Sequence, residues 1–245
     1  MGIKQGTIGE IIETETKLVL EGKVRYDEHF LNASNLNTLL NTFLKSVSPK
    51  LGVFVIFLSQ IRKHHTLALF SALRLHHTQA MMDLRQVLEA GTCAAYAIAN
   101  PSVDGFADYD EQGILKASDA LKNKRYKWIT TYHRDGSNHI QKIKDHINST
   151  TSHSNIIYAM KTFSFNRVAG QFDTPYFDLE DELHVKSDLW LVGNIAMGLM
   201  DLFDDINNNS QEMQFIDSFI PRLKELGQQN QKLKDELSTD PRFHY

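Results

Sequence analysis

Apolar side chains recur every three to four positions from Leu51 to Ala72, at Phe54, Leu58, Ile61, Ala68 and Leu69, and again from Ala80 to Ile98, at Leu84, Leu88, Gly91 and Ala95. That spacing keeps each set on one helical stripe. No proline interrupts residues 50–99, so the pattern predicts two long helices, 50–74 and 76–99. The polar run Arg74-Leu75-His76-His77-Thr78 forms the corner between them, and Asn100-Pro101 forms the stop. From Ala90 to Ala99 apolar residues occupy almost every face, which assigns the second helix to the middle of a bundle.

Around this hairpin the pattern predicts further helices. Residues 1–31 read as an N-terminal arm or short helix, and Asn35 to Val47 as a first bundle helix entered through Ser34 as N-cap. The acidic stretch from Pro101 to Gly113 reads as a loop. Ala117, Leu121, Trp128 and Tyr132 then line a helix ending near His133, and Asp135-Gly136 is a turn signal ahead of a short helix carrying Ile140 and Ile143. Ser149 to Asn155 is a polar loop, while Thr162–Phe165 and Phe172–Phe177 pair as a small β-hairpin or form an ordered loop. Asp178 with Glu180, Asp181 and Glu182 opens a core helix with the stripe Val185, Leu189, Val192, Ala196, Leu199, Met200 and Phe203. A last helix runs from Phe219 to about Leu237 with Pro221 in its first turn, its polar end from Gln228 projecting into solvent or against a partner. The fold class expected is mainly α: a bundle of five to seven helices over 32–227 around a central helical hairpin, with a polar helix end and tail at 228–245.

At 245 residues, 42% hydrophobic and 23% charged, the chain has the composition of an ordinary globular domain. Its apolar runs, such as Val53 to Leu58, are far short of the ~18–20 residues a membrane span needs. With no signal-peptide apolar region after Met1, the expected location is cytoplasmic. The single cysteine, Cys93, rules out an intrachain disulfide and reads as core filler.

Four constellations carry candidate chemistry. Arg85 and Glu89 lie four apart on the central helix beside Tyr96, either neutralising each other or facing a ligand pocket. His64, His65, His76 and His77 would share a metal only across a sharp bend, because adjacent helical residues point about 100° apart and His65 to His76 spans about 16 Å on a continuous helix. Neither metal nor cofactor is expected. Over residues 116–146 the cations Lys116, Lys122, Lys124, Arg125, Lys127, Arg134, Lys142 and Lys144 outnumber Asp119, Asp135 and Asp145, against a net charge of −4 for the whole chain. Tyr126, Trp128 and Tyr132 interleave with them, a combination suited to phosphate contact and base stacking on single-stranded RNA. The helical spacing of Leu121, Trp128 and Tyr132 equally suits a core-facing stripe under solvated lysines.

Within the basic stretch lies Arg134-Asp135-Gly136-Ser137-Asn138-His139. An arginine that holds phosphate and a histidine that moves a proton are the minimum for metal-independent RNA cleavage. The arrangement of Arg, a polar residue, three further positions and His resembles the motif of HEPN domains, all-helical proteins that include many bacterial defence and toxin ribonucleases. The segment Met82 to Ala90 is similar to a helix of uncharacterised bacterial helical proteins. The resemblance implies a homodimer in which Arg134 binds phosphate and His139 acts as acid or base. The leading expectation is therefore an RNA-binding or RNA-cleaving protein, with Lys122, Lys124, Arg125, Tyr126 and Lys127 on the nucleic-acid surface. A non-catalytic module for a protein partner and a ligand-binding bundle with a pocket at Arg85, Glu89 and Tyr96 are the alternatives.

Overall fold

A computed structural model describes residues 7–151, 164–166, 171–173, 176–178 and 181–243. Among them are seven helices: α1 (Ile8–Thr42), α2 (Gly52–Leu73), α3 (His77–Ala99), α4 (Asp119–Tyr132), α5 (Arg134–Thr151), α6 (Glu182–Ser210) and α7 (Phe219–Leu237). The protein is a mainly α-helical bundle, as the periodicity predicts. No helix of the described residues is long and apolar enough to cross a membrane.

The expected arm and the expected start at Ser34 give way to a single element. The Thr7 hydroxyl accepts from the Glu10 amide at 3.3 Å, and the Thr7 amide donates to the Glu10 carboxylate at 2.7 Å. This capping box starts the helix well before its stripe becomes dense. Asp27, at φ 39° and ψ −115°, kinks α1 between the buried groups Leu18, Gly22, Tyr26 and His29, Ala33, Leu36, Leu40.

The α2–α3 hairpin turns through Leu75, which takes φ 60°. Asp178 docks there: its amide donates to the Leu75 carbonyl at 2.9 Å, and its carboxylate accepts from the His77 amide at 2.7 Å. It thus caps α3 from across the chain, while α6 takes its own N-cap from Asp181. Against α3 lies α6, buried from Val185 to Asn207 over most of its circumference. The two approach so closely that a Cβ on Gly91 would lie 2.5 Å from Leu199 Cδ2.

Short strands tie the helix ends together. β1 (Leu44–Val47) pairs antiparallel with β6 (Met213–Phe215), with Val47 opposite Met213 and Leu44 opposite Phe215. Residues 44–47, expected to be helical, thus leave α1 to satisfy a partner far away in sequence. The stretch expected to be a loop up to Gly113 contains β2 (Ala107–Tyr109), paired with β3 (Leu115–Ala117). Ala117 is therefore in a strand, and Ser118 caps α4 instead. The expected hairpin is present as β4 (Ser164–Asn166) and β5 (Gln171–Asp173); the remainder of 156–175 lies outside the described residues. The terminal helix does not project: Asn230, Leu233 and Leu237 are buried, a stripe sparse enough to be hidden among polar neighbours.

Candidate functional site

Helix α5 organises the site. His133 ends α4 and α5 begins at the next residue; the His133 ring sits 2.8 Å from the Asp205 carboxylate, and its carbonyl accepts from the Ser137 amide at 2.9 Å. Gly136, expected in a turn, lies in the first turn of α5, where a Cβ would approach Leu202 to 3.2 Å. Its small size lets α5 settle on α6. Arg134 is exposed at the helix start and has no ion pair among the described residues. His139, five positions later, is rotated by about 140° and displaced by about 7.5 Å along the axis. The two do not share a face within one chain.

His139 instead opens a stripe at i, i+3, i+4 and i+7: His139, Lys142, Ile143 and His146. Together with Trp190, Leu191, Asn194 and Met197 of α6, and Gly227, Asn230, Gln231 and Lys234 of α7, it lines a cleft of ≈ 440 Å³. The amide nitrogen of Asn194 is 3.4 Å from His139 Nε2. Trp190 is a wall: its indole N–H donates to the Asn230 carbonyl at 3.1 Å, and the Lys234 ammonium lies 5.5 Å from its ring centroid. No carboxylate lines the cleft among the described residues, and Lys142 and Lys234 make no ion pair there. Desolvation, then the Lys234 and Lys142 charges, hold the His139 ring below the usual histidine pKa.

The opposite side of α5 has another character. Glu89 accepts from Arg85 Nε at 3.3 Å and lies 3.8 Å from the Lys144 ammonium, while a second Arg85 nitrogen donates to Asn148. Lys144 also donates to the Tyr126 hydroxyl at 2.7 Å and stands 4.7 Å from that ring's centroid. Tyr96 is buried, edge-on to Phe106 and Trp128 at 5.5 and 5.4 Å. Arg85, Glu89 and Tyr96 therefore join α3 to α4 and α5. Cys93 is nearby, its thiol pKa pushed up by burial.

On α4 the residues expected at nucleic acid divide. Lys122, Lys124 and Lys127 are exposed. Arg125 donates to the Gly105 carbonyl at 3.0 Å and packs over Phe106, and Tyr126 is engaged by Lys144. Trp128 is half-buried against Tyr96, leaving Tyr132 as the exposed ring of this helix.

The four hairpin histidines each meet a separate partner. His64 lies 2.8 Å from the Asp83 carboxylate, His76 3.0 Å from that of Glu15, and His77 2.7 Å from that of Asp188. His65 is fully buried between Asn37 and the Val192 carbonyl, and burial lowers its pKa to about 4. Among the described residues no set of three or more His, Cys, Asp or Glu is placed to hold a metal ion.

Sequence reasoning marked His139 and counted Lys142, but missed His146, Asn194 and Lys234. The signal was there in the heptad-like stripe of α5 and in its counterpart on α7, Gly227, Asn230, Gln231 and Lys234. No protein-family model, no curated protein and no solved structure matches this chain, so the functional reading stands on the cleft itself.

Proposed function

We propose that the protein binds a small anionic ligand in the cleft between α5, α6 and α7. One observation carries this reading: two lysines and two histidines converge on a cavity of ≈ 440 Å³ whose described wall contains no carboxylate. The Lys142 and Lys234 charges repel each other, and a bound anion offsets that repulsion. The volume falls within the ~300–1,000 Å³ range of ligand pockets. The sequence alternative of a ligand-binding bundle is retained, with the pocket moved from Arg85 and Glu89 to the other side of α5.

The test is thermal unfolding of the wild type and of Lys234→Met in low salt with phosphate, pyrophosphate or citrate. Binding raises the wild-type Tm in proportion to the logarithm of anion concentration, with the rise reduced in the variant and by added salt. Equal responses of the two proteins would remove the cleft from consideration.

A second reading, RNA binding or cleavage, is favoured by the exposed Lys122, Lys124 and Lys127 on α4. Since Arg134 and His139 diverge within one chain, a HEPN-like reaction would need a second copy to bring an arginine to His139. Labelled single-stranded RNA incubated in EDTA with the wild type and His139→Ala tests it. Cleavage lost in the variant supports the reading; neither cleavage nor salt-sensitive binding excludes it.

A further inference from the structure

The head group that suits this cleft follows from its charge count. Lys142 and Lys234 bring two ammonium groups with no ion pair among the described residues, one from each side, to the neighbourhood of a single imidazole. A carboxylate or phosphodiester brings one negative charge and would match only one of the two ammonium groups. A terminal phosphate carries about −1.5 to −2 at pH 7 and three acceptor oxygens. Those oxygens match the donors present: the two ammonium groups, His139 and the Asn194 amide. The cleft also holds much more than an inorganic ion. Ile143, Leu191 and Met197 supply an apolar wall, and Asn230 and Gln231 supply polar groups, for an organic body attached to that phosphate.

We infer that the ligand of this cleft carries a terminal phosphomonoester, seated between Lys142, Lys234 and His139. The inference rests on the anion-binding reading and gives it a chemical class. Such an ester occurs on small phosphorylated metabolites and at the phosphorylated end of an RNA strand.

Proton linkage follows from the same geometry. The charged or titratable groups lining the cleft with His139 are Lys142 and His146 on α5 and Lys234 on α7, while the lining residues of α6, Trp190, Leu191, Asn194 and Met197, are uncharged. In the free protein desolvation, then the Lys234 and Lys142 charges, disfavour the protonated ring. A dianion reverses the local field, so the ring takes up a proton on binding and donates a hydrogen bond to phosphate. Affinity therefore rises as pH falls from about 8, then declines below about 6 as the phosphate itself gains a proton. A carboxylate, with a pKa near 4, would show no such decline above pH 5.

The experiment is isothermal titration at pH 7 in two buffers of different ionisation enthalpy. The small-molecule probes are phenyl phosphate, methyl phenyl phosphate and benzoate; the strand probes are a hexaribonucleotide with and without a 5′-phosphate. The expected result is a preference of at least tenfold for a monoester over its matched diester, carboxylate or 5′-hydroxyl counterpart. Lys142→Met and Lys234→Met each abolish that preference, and His139→Gln removes the buffer-dependent proton uptake while leaving measurable binding. Preference within the phenyl series identifies a small-molecule source, and preference confined to the RNA pair identifies a strand end; either supports the inference. Equal binding of monoester, diester and carboxylate overturns the phosphomonoester class while leaving an anion site. Absence of binding by every probe, with correctly folded protein, overturns the anion site as well.

Discussion

Two faces of α5 carry lysines two residues apart, and they teach opposite lessons. Lys144, on the face toward α3 and α4, is nearly buried and engaged by Glu89 and the Tyr126 hydroxyl. Lys142, toward α6 and α7, stands at a cleft beside Lys234, with no carboxylate in the described wall. A charge surrounded by its own partners holds the fold together. A charge left unmatched beside empty volume is available to something else. By this criterion Arg85 and Glu89, the most conspicuous charged pair in the sequence, are structural, and the candidate site lies on the other face.

The largest expected effect probes how closely the core seals its polar groups. His65 is wholly buried and its pKa in the fold is about 4, against 6.5 when unfolded. Because the folded value is depressed, the contribution of the neutral ring is complete above pH 6.5 and is lost as pH falls toward 4. This amounts to roughly 3 kcal/mol. Urea unfolding at pH 7 and pH 4.5 should show the loss, and His65→Gln should reduce it without abolishing it, because burial also lowers the His29 pKa to about 4; a wild-type stability unchanged between these pH values would contradict the assignment.

Next in size is Glu89→Ala, which leaves Arg85 and Lys144 facing each other without their shared carboxylate. Partial exposure places the cost between that of surface and buried pairs, about 2 kcal/mol of unfolding free energy. Chemical denaturation measures it. A cost below ~0.5 kcal/mol would erase the contrast between the two faces.

Lys234→Met should do the reverse. Stability stays within ~0.5 kcal/mol of the wild type, while anion affinity falls about tenfold, or ~1.4 kcal/mol. Calorimetry together with a melting curve separates the two quantities, and a variant that unfolds as readily as Glu89→Ala would make Lys234 structural.

The smallest effect belongs to α4. Replacing Lys122, Lys124 and Lys127 by Gln should leave both stability and small-anion binding nearly unchanged. If the protein also engages RNA, the same change weakens that binding and flattens its dependence on salt; a filter-binding titration at two ionic strengths reads both.

The hairpin and α6 were legible because their stripes are long and their breaks are chemical: Asn100-Pro101 stops α3, and the acidic residues Asp181 and Glu182 mark the start of α6. The single helix α1 was not, since its outer half carries a sparse stripe and a kink at Asp27 that no glycine or proline announces. Pairing of β1 with β6 is a long-range contact between short segments, and periodicity does not report it. At the site, His139 was found through a motif whose other member points elsewhere. Its real neighbours, Lys234 and Asn194, come from helices distant in sequence and become visible only once α5, α6 and α7 are packed.

Gly91 gives that packing a mechanical stop. With Leu199 against the glycine backbone, α6 is seated on α3 at a depth that leaves no space for a methyl group, and just before Leu199 the same helix presents Asn194 and Met197 to the cleft. The width of the opening is thus gauged from behind, by a residue that is not among those lining the cleft. A change at position 91 should retune selectivity by size while leaving every charge in place.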